Sequence, residues 1–288
     1  MSPTADLRGK AAPTPDPRLT LMRDGVAAAK LEGVVPAERY MPTTIRQIAS
    51  PILAIRKTPD SMAEQVDQLL YGETFEVLDE AGGWAFGQTS RDGYVGSVRA
   101  EALSTELETP THWVSALRTY AFAAPSAQAP LTGPYSMNAL IVVEDGDDER
   151  FAAVRGLGFV PRSHLTPVGV AISDDPAGVA LRFLGAPYQW GGRDSVGIDC
   201  SGLIQQALYA CGLACPRDSD MQAALGAPVE QGGLRRNDLV FWKGHVGVML
   251  DSQRLLHANG FHMATAIEPL ADTISRIGPP TFCRRLSL

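Results

Sequence analysis

No apolar run in these 288 residues approaches the roughly 18 that a membrane-crossing helix needs. The opening stretch Met1-Ser2-Pro3-Thr4-Ala5-Asp6-Leu7-Arg8-Gly9-Lys10 lacks the apolar core of a secretory leader, so the chain is expected to work in the cytoplasm. Long basic runs are missing too. Lys and Arg number 25 against 32 Asp and Glu, a formal net charge of −7. That balance argues against nucleic acid or an anionic membrane surface as partner, and says nothing of the substrate. Cysteine is scarce. Cys200, Cys211, Cys215 and Cys283 show no paired-motif spacing, and a reducing compartment would keep them as thiols. Cys211 and Cys215 have no second ligand pair, so they read as buried small hydrophobes rather than half a zinc site. No metal or cofactor is expected. Oligomeric state leaves no mark in the sequence.

What is present suits two or three domains with ordinary packed cores. Residues 1–46 read as an N-terminal arm: loose over 1–20, then a short helix from Asp24 to Glu38, ended before Pro36. Residues 47–108 carry short apolar runs divided by Gly, Asp and Pro turns: Ile52–Ile55, Gln68–Tyr71, Thr74–Leu78, Trp84–Gln88 and Gly93–Val98. That pattern predicts a small β-barrel. Residues 109–168 repeat the theme in divergent form, with Val114–Leu117, Ala139–Val143, Phe151–Val154 and Gly158–Pro161 as strands. From 169 to 288 helices come first, at Asp175–Leu184, Cys200–Cys211 and Gln222–Leu225. Strands follow at Asp238–Trp242, Val246–Leu250, Leu255–Ala258 and Phe282–Leu286, an α+β order.

Chemistry concentrates in this last region. Asp199-Cys200-Ser201-Gly202-Leu203 opens the stronger helix, just after Pro187-Tyr188-Gln189-Trp190-Gly191-Gly192. Gly244-His245-Val246-Gly247-Val248 and Leu255-Leu256-His257-Ala258 follow. A cysteine at a helix start gains from the positive end of the helix dipole, which favours thiolate. One imidazole can take the thiol proton and a second polar group can orient it, the layout of a papain-type cysteine hydrolase. Against this stands the ordinary reading of Cys200 as a core thiol, but its polar, small neighbours suit an open helix start. His262 competes with His257 for the orienting place, though Asn259-Gly260 before it suggests a loop. His112 and His164 read as structural or solvated, and Trp190 as packing.

Tyr188-Gln189-Trp190-Gly191-Gly192, Asp199-Cys200-Ser201-Gly202-Leu203, Arg217-Asp218-Ser219, Asn237-Asp238-Leu239-Val240-Phe241 and Gly244-His245-Val246-Gly247-Val248 occur in that order. This succession resembles the NlpC/P60 family of bacterial cell-wall peptidases over about residues 170–288. Leu69-Leu70-Tyr71-Gly72-Glu73, Gly82-Gly83-Trp84 and Asp92-Gly93-Tyr94-Val95-Gly96 resemble bacterial SH3 domains. The resemblance implies a papain-like catalytic domain preceded by two small SH3-like barrels. It implies Cys200 as nucleophile, His245 as base and His257 as the orienting member. Tyr188 and the Cys200 N–H would steady the oxyanion.

In the SH3-bearing branch, the resemblance further implies that Asp199, Ser201, Asp218 and Ser219 line the substrate pocket. Asp218 suits an ammonium, while Ser201 and Ser219 suit a carboxylate. Asp199 and Ser201 also read as helix caps. Tyr94 and an acid of the first barrel, Glu64 or Asp67, would close the amine end. The implied activity is a cysteine peptidase cutting the γ-D-glutamyl–diamino acid bond of a muropeptide with a free N-terminal L-alanine, in recycling of wall peptides. An amidase or acyltransferase on the same fold, and a non-catalytic wall-binding SH3 protein, are the alternatives. Which diamino acid is preferred is not legible.

Overall fold

The computed structural model describes residues 15–287. The loose arm expected over 1–20 lies outside the described residues up to 14. From Pro15 onward the chain is fastened: the Val95 N–H donates to the Arg18 carbonyl at 2.8 Å and the Gln88 amide to that of Leu19 at 2.8 Å. Leu21 is buried with Ala28 and Phe86. The helix expected from Asp24 to Glu38 is not formed. Strands Met22–Arg23 and Val26–Ala28 pair antiparallel across a turn at Asp24 (φ 50°) and Gly25 (φ 75°), and Val26–Ala28 pairs in parallel with Arg39–Met41. Asp-Gly is a hairpin turn signal, and it overrides the alanine run. Only a 3₁₀ turn, Ala29–Leu31, remains of the helix.

The first barrel is a seven-stranded antiparallel sheet. Its order is Leu103–Ser104, Thr44–Ile48, Thr74–Ala81, Trp84–Thr89, Val95–Arg99, Ile52–Arg56, Gln65–Leu70. Alternate residues of Ile52–Arg56 and Thr74–Val77 point inward, and Ile48, Leu53, Ile55, Leu69, Phe75, Val77, Ala85 and Val98 fill the interior. Thr44–Ile48 begins before the expected border at 47. The next unit holds a three-stranded and a four-stranded sheet around Val114, Ala121, Tyr135, Ile141, Val154 and Val160. Its strands Arg118–Phe122 and Leu131–Ser136 are additions to the expected set.

The C-terminal unit builds on a six-stranded sheet ordered Ala227–Pro228, Phe282–Arg285, Leu239–Trp242, His245–Met249, Arg254–Asn259, Ala264–Pro269. Helices α1 (Pro176–Leu181) and α2 (Cys200–Ala210) cover one face. Leu203, Ile204, Ala207 and Leu208 of α2 bury against Val246, Val248, Leu256 and Ala258. A short α3 (Ser219–Gln222) stands where the sequence suggests Gln222–Leu225. On the opposite face α4 (Leu270–Ile277) packs Leu270 and Ile274 onto Val240, Trp242, Met249 and Leu255. Neither α4 nor Ala264–Pro269 is expected from the sequence. None of the described helices is long and apolar enough to cross a membrane.

A buried ionic cluster joins the first barrel to this unit. Arg193, with no exposed surface, meets Glu73 at 2.6 Å, Asp92 at 3.4 Å and Asp67 at 3.7 Å. Arg217, equally buried, meets Asp67 at 2.5 Å and Asp199 at 2.6 Å. Both arginines come from the C-terminal unit, and Glu73, Asp92 and Asp67 from the barrel. Removing one member of a buried pair leaves an uncompensated charge. Glu73→Ala should therefore cost about 3–5 kcal/mol in urea denaturation, with Glu73→Gln milder. A loss near that of a surface pair, under about 1 kcal/mol, would show that the cluster does not hold the units together.

Candidate active site

Cys200 is the first residue of α2, and Asp199 is its N-cap. The Asp199 carboxylate accepts from the Gly202 N–H at 2.7 Å, closing the first turn. Its other oxygen accepts from the Gly191 N–H at 2.9 Å, so one side chain fixes both the helix start and the Tyr188–Gly192 loop. Both glycines are dictated by contact. A Cβ on Gly202 would lie 2.1 Å from the Gly192 carbonyl oxygen, and one on Gly191 (φ 69°) would lie 2.7 Å from that of Gln65. The Cys200 N–H is one of the donors a helix leaves unpaired in its first turn.

The base assembly lies on the neighbouring strands. His245 Nε2 and His257 Nδ1 are 2.8 Å apart, and His257 Nε2 is 2.6 Å from Glu268 Oε1. Glu268 receives two bonds from Arg276, at 2.6 and 2.8 Å. His262 stands 3.6 Å from Glu268 and makes no hydrogen bond to His245. The structure thus sets His257, and not His262, against His245. Glu268 and Arg276 were not anticipated. An acid in the strand facing His257, paired Ala266↔His257 two residues away, is the signal that the missed strand concealed.

Burial and the Asp199 carboxylate push the Cys200 thiol up to about 12, against the pull of Arg217 and the Val246 and Ser201 N–H groups. Burial and the neighbouring His257 bring His245 down to about 4. At rest the thiol and the imidazole are therefore both neutral, the sulfur lying against the N–H of Val246, the residue after His245, and the thiolate favoured by the helix start alone does not persist once desolvation is counted. Glu268 is held near 2, chiefly by its bond to Arg276, so it stays ionised behind His257.

A cavity of about 210 Å³ opens above Cys200, lined by Tyr188, Ser201, Asp218, Ser219, Tyr94, Glu64 and Trp190 among others. Tyr188 is half-buried there, and burial plus the nearby Cys200 raises its phenol, keeping it a proton donor. Tyr94 reaches across from the barrel and donates to Asp218 at 3.1 Å. Ser219 presents a hydroxyl with no bond among the described residues, at the start of α3.

Several expectations change. Asp199 borders the cavity, but its carboxylate is used up by Gly191, Gly202 and Arg217. Ser201 is likewise engaged, donating to Asp199 at 3.2 Å and accepting from Arg217 at 2.8 Å. Asp67 lies under Arg217, away from the cavity lining, so of the two barrel acids it is Glu64 that reaches the cavity. Burial and Asp92 lift the Asp67 carboxyl to about 7 against its two arginines. Trp190 is not core packing: it is 60 % exposed on the rim, with its indole N–H on Glu64 at 3.1 Å. Of the two cysteines expected to be buried, Cys215 is, whereas Cys211, just past the end of α2 at Ala210, is only half-buried. All four thiols are free, and no cluster of three or more His, Cys, Asp or Glu fit to hold a metal occurs among the described residues.

A helix-start cysteine with a two-histidine, one-carboxylate relay beside a polar cleft defines a papain-like cysteine hydrolase. Family comparison agrees. Residues 185–275 match the NlpC/P60 family and residues 55–103 the bacterial dipeptidyl-peptidase SH3 domain. The chain thus carries an NlpC/P60 cysteine peptidase domain and an SH3 domain of that kind. It is 29 % identical over 229 residues to the gamma-D-glutamyl-L-lysine dipeptidyl-peptidase of Bacillus subtilis (strain 168), covering 72 % of this chain and 76 % of the relative. It is 25 % identical to dipeptidyl-peptidase 6 of Lysinibacillus sphaericus over 70 % of this chain and 82 % of the relative. The fold matches a crystal structure of an NlpC/P60 family protein from Bacillus cereus with a TM-score of 0.73, over 84 % of this chain and 99 % of that one, at 20 % identity.

The charge states make the pH behaviour testable. A base with its pKa near 4 stays active through mild acid, so the acid limb of kcat/KM should have its midpoint near 4 rather than near 6.5. Iodoacetamide alkylation of Cys200 should rise about tenfold per pH unit from pH 6 upward. A labelling plateau below pH 7 would instead reveal a preformed thiolate–imidazolium pair. His257→Ala should lower kcat by at least about 10²-fold by freeing His245 to rotate. A larger loss for His262→Ala would reassign the relay.

Proposed function

We propose that the protein hydrolyses the γ-D-glutamyl–diamino acid bond of released peptidoglycan stem peptides that begin with a free L-alanine. The observation that carries this reading is the composition of the cleft wall beside Cys200. Glu64 and Tyr94 of the barrel and Asp218 of the C-terminal unit line it with carboxylates and a phenol. That is a site suited to an ammonium group, and a peptide whose amine is blocked would leave it unpaired. The Bacillus subtilis relative, a gamma-D-glutamyl-L-lysine dipeptidyl-peptidase, supports the same substrate class.

In the reaction, His245 takes the Cys200 proton as the sulfur attacks the γ-carbonyl. The tetrahedral oxyanion accepts from the Tyr188 hydroxyl and the Cys200 N–H. His257, held by Glu268, keeps the His245 ring in position and stabilises its charged form. His245 then gives its proton to the departing amine. Water, activated by the same imidazole, releases the acyl group from the thioester and restores the thiol. Ser219, whose hydroxyl has no bond among the described residues, would donate to the α-carboxylate of D-glutamate.

The test is product mass spectrometry on L-Ala-γ-D-Glu-diaminopimelate, free and N-acetylated. The free peptide should yield L-Ala-γ-D-Glu, and Cys200→Ala should abolish the product while leaving the circular dichroism melt unchanged. Acetylation should cost at least the ~1–3 kcal/mol of an unpaired buried polar group. Equal cleavage of both peptides would remove the free-amine requirement, and release of ammonia or acyl transfer in place of the dipeptide would point to an amidase or acyltransferase.

A further inference from the structure

Behind Asp218, on the side away from the cleft, stands a cation supplied by the N-terminal strap. Arg18 Nη1 donates to Asp218 Oδ2 at 2.7 Å, the same oxygen that accepts from Tyr94. Its Nη1 and Nη2 reach Asp220 at 2.9 and 2.8 Å, and its Nε and Nη2 reach Asp16 at 3.1 and 2.7 Å. One guanidinium thus serves three carboxylates on two widely separated stretches of chain. Its backbone is tied to the barrel beside Tyr94 through the Val95 N–H. The strap is therefore part of the same rigid wall as the phenol.

Position decides the role. Asp218, Asp220, Tyr94 and Glu64 line the cavity above Cys200, and Arg18 does not. It borders an adjacent cavity with Pro17, Lys57, Glu64 and Tyr94. A residue that occupied the amine site would stand in the cleft, whereas Arg18 backs it.

We propose that Arg18 is a positioning residue that sets the requirement for a free N-terminal amine, by holding the Asp218 carboxylate fixed at the cleft wall. This rests on the reading of the cleft end as an ammonium site. Asp218 and Asp220 lie two residues apart, and without a cation between them they repel each other. One carboxylate then turns away, which weakens an ammonium partner. A planar fork can bond both carboxylates and Asp16 at once, whereas a lysine ammonium is a compact point charge without that fork.

The experiment measures kcat and KM of the full chain, Arg18→Ala and Arg18→Lys on free and N-acetylated L-Ala-γ-D-Glu-diaminopimelate. Arg18→Ala should raise KM for the free peptide about tenfold, the scale of one charge-assisted hydrogen bond, with kcat within about twofold. KM for the acetylated peptide should not move, and Arg18→Lys should recover part of the loss. An unchanged free-peptide KM overturns the proposal. A lower one does so too, by showing that Arg18 competes with the amine. Equal losses on both peptides, or a fall in kcat alone with a lowered melting temperature, would make Arg18 a structural tie only. If the unaltered protein itself fails to distinguish the two peptides, the ammonium reading fails first, a result separate from any of these.

Discussion

Arg217 is the interaction on which the rest of the site depends. Burying a guanidinium is costly unless every donor finds an acceptor and the charge is balanced. Here it meets Asp67 of the barrel, both oxygens of Asp199 and the hydroxyl of Ser201. Because Asp199 also caps α2 and holds the Gly191 N–H, one cation sets the start of the nucleophile's helix, the loop that carries Tyr188 and the seat of the barrel. Breaking it would release three elements together. This is how a phenol and an acid from a separate barrel become dependable parts of a cleft wall.

The charged groups are arranged in two tiers. Nearest the reacting atoms, burial keeps Cys200 and His245 neutral until chemistry moves the proton. Behind them stand paired carboxylates: Glu268, kept ionised by Arg276, and Asp199, bonded to Arg217. Charge developing on His245 during attack is met through His257 by a carboxylate that needs no rearrangement. The low-dielectric first tier and the polar second tier are complementary, since a fixed charge acts more strongly across a dry gap.

Much of this was legible because local chemistry speaks locally. The cap-and-nucleophile order of Asp199 and Cys200, the apolar spacing of Leu203, Ile204, Ala207 and Leu208, and the alternation in the strand His245–Met249 identify α2 and its sheet. What escaped depends on pairing at a distance. The run after Asn259-Gly260 reads as loop, so Ala264–Pro269 and with it Glu268 were invisible. The alanine run after Asp24-Gly25 has helical spacing in isolation, yet the turn at those two residues pairs it into a hairpin. Glu64 and Asp67 differ by three positions, which places them on opposite faces of extended chain. No local pattern says which face meets the catalytic unit. Arg18 is the extreme case, since its partners follow some 200 residues later.

The order of parts along the chain has its own consequence. Strap, barrel wall, nucleophile and base relay appear in that sequence: Arg18, then Glu64 and Tyr94, then Cys200, then His245, His257 and Glu268. Domains fold largely as units from the N-terminus during synthesis. The barrel's share of the cleft wall is therefore made before the thiol is translated, Asp218 joins it just after, and the relay beside the thiol's sheet is the last part of the site to emerge.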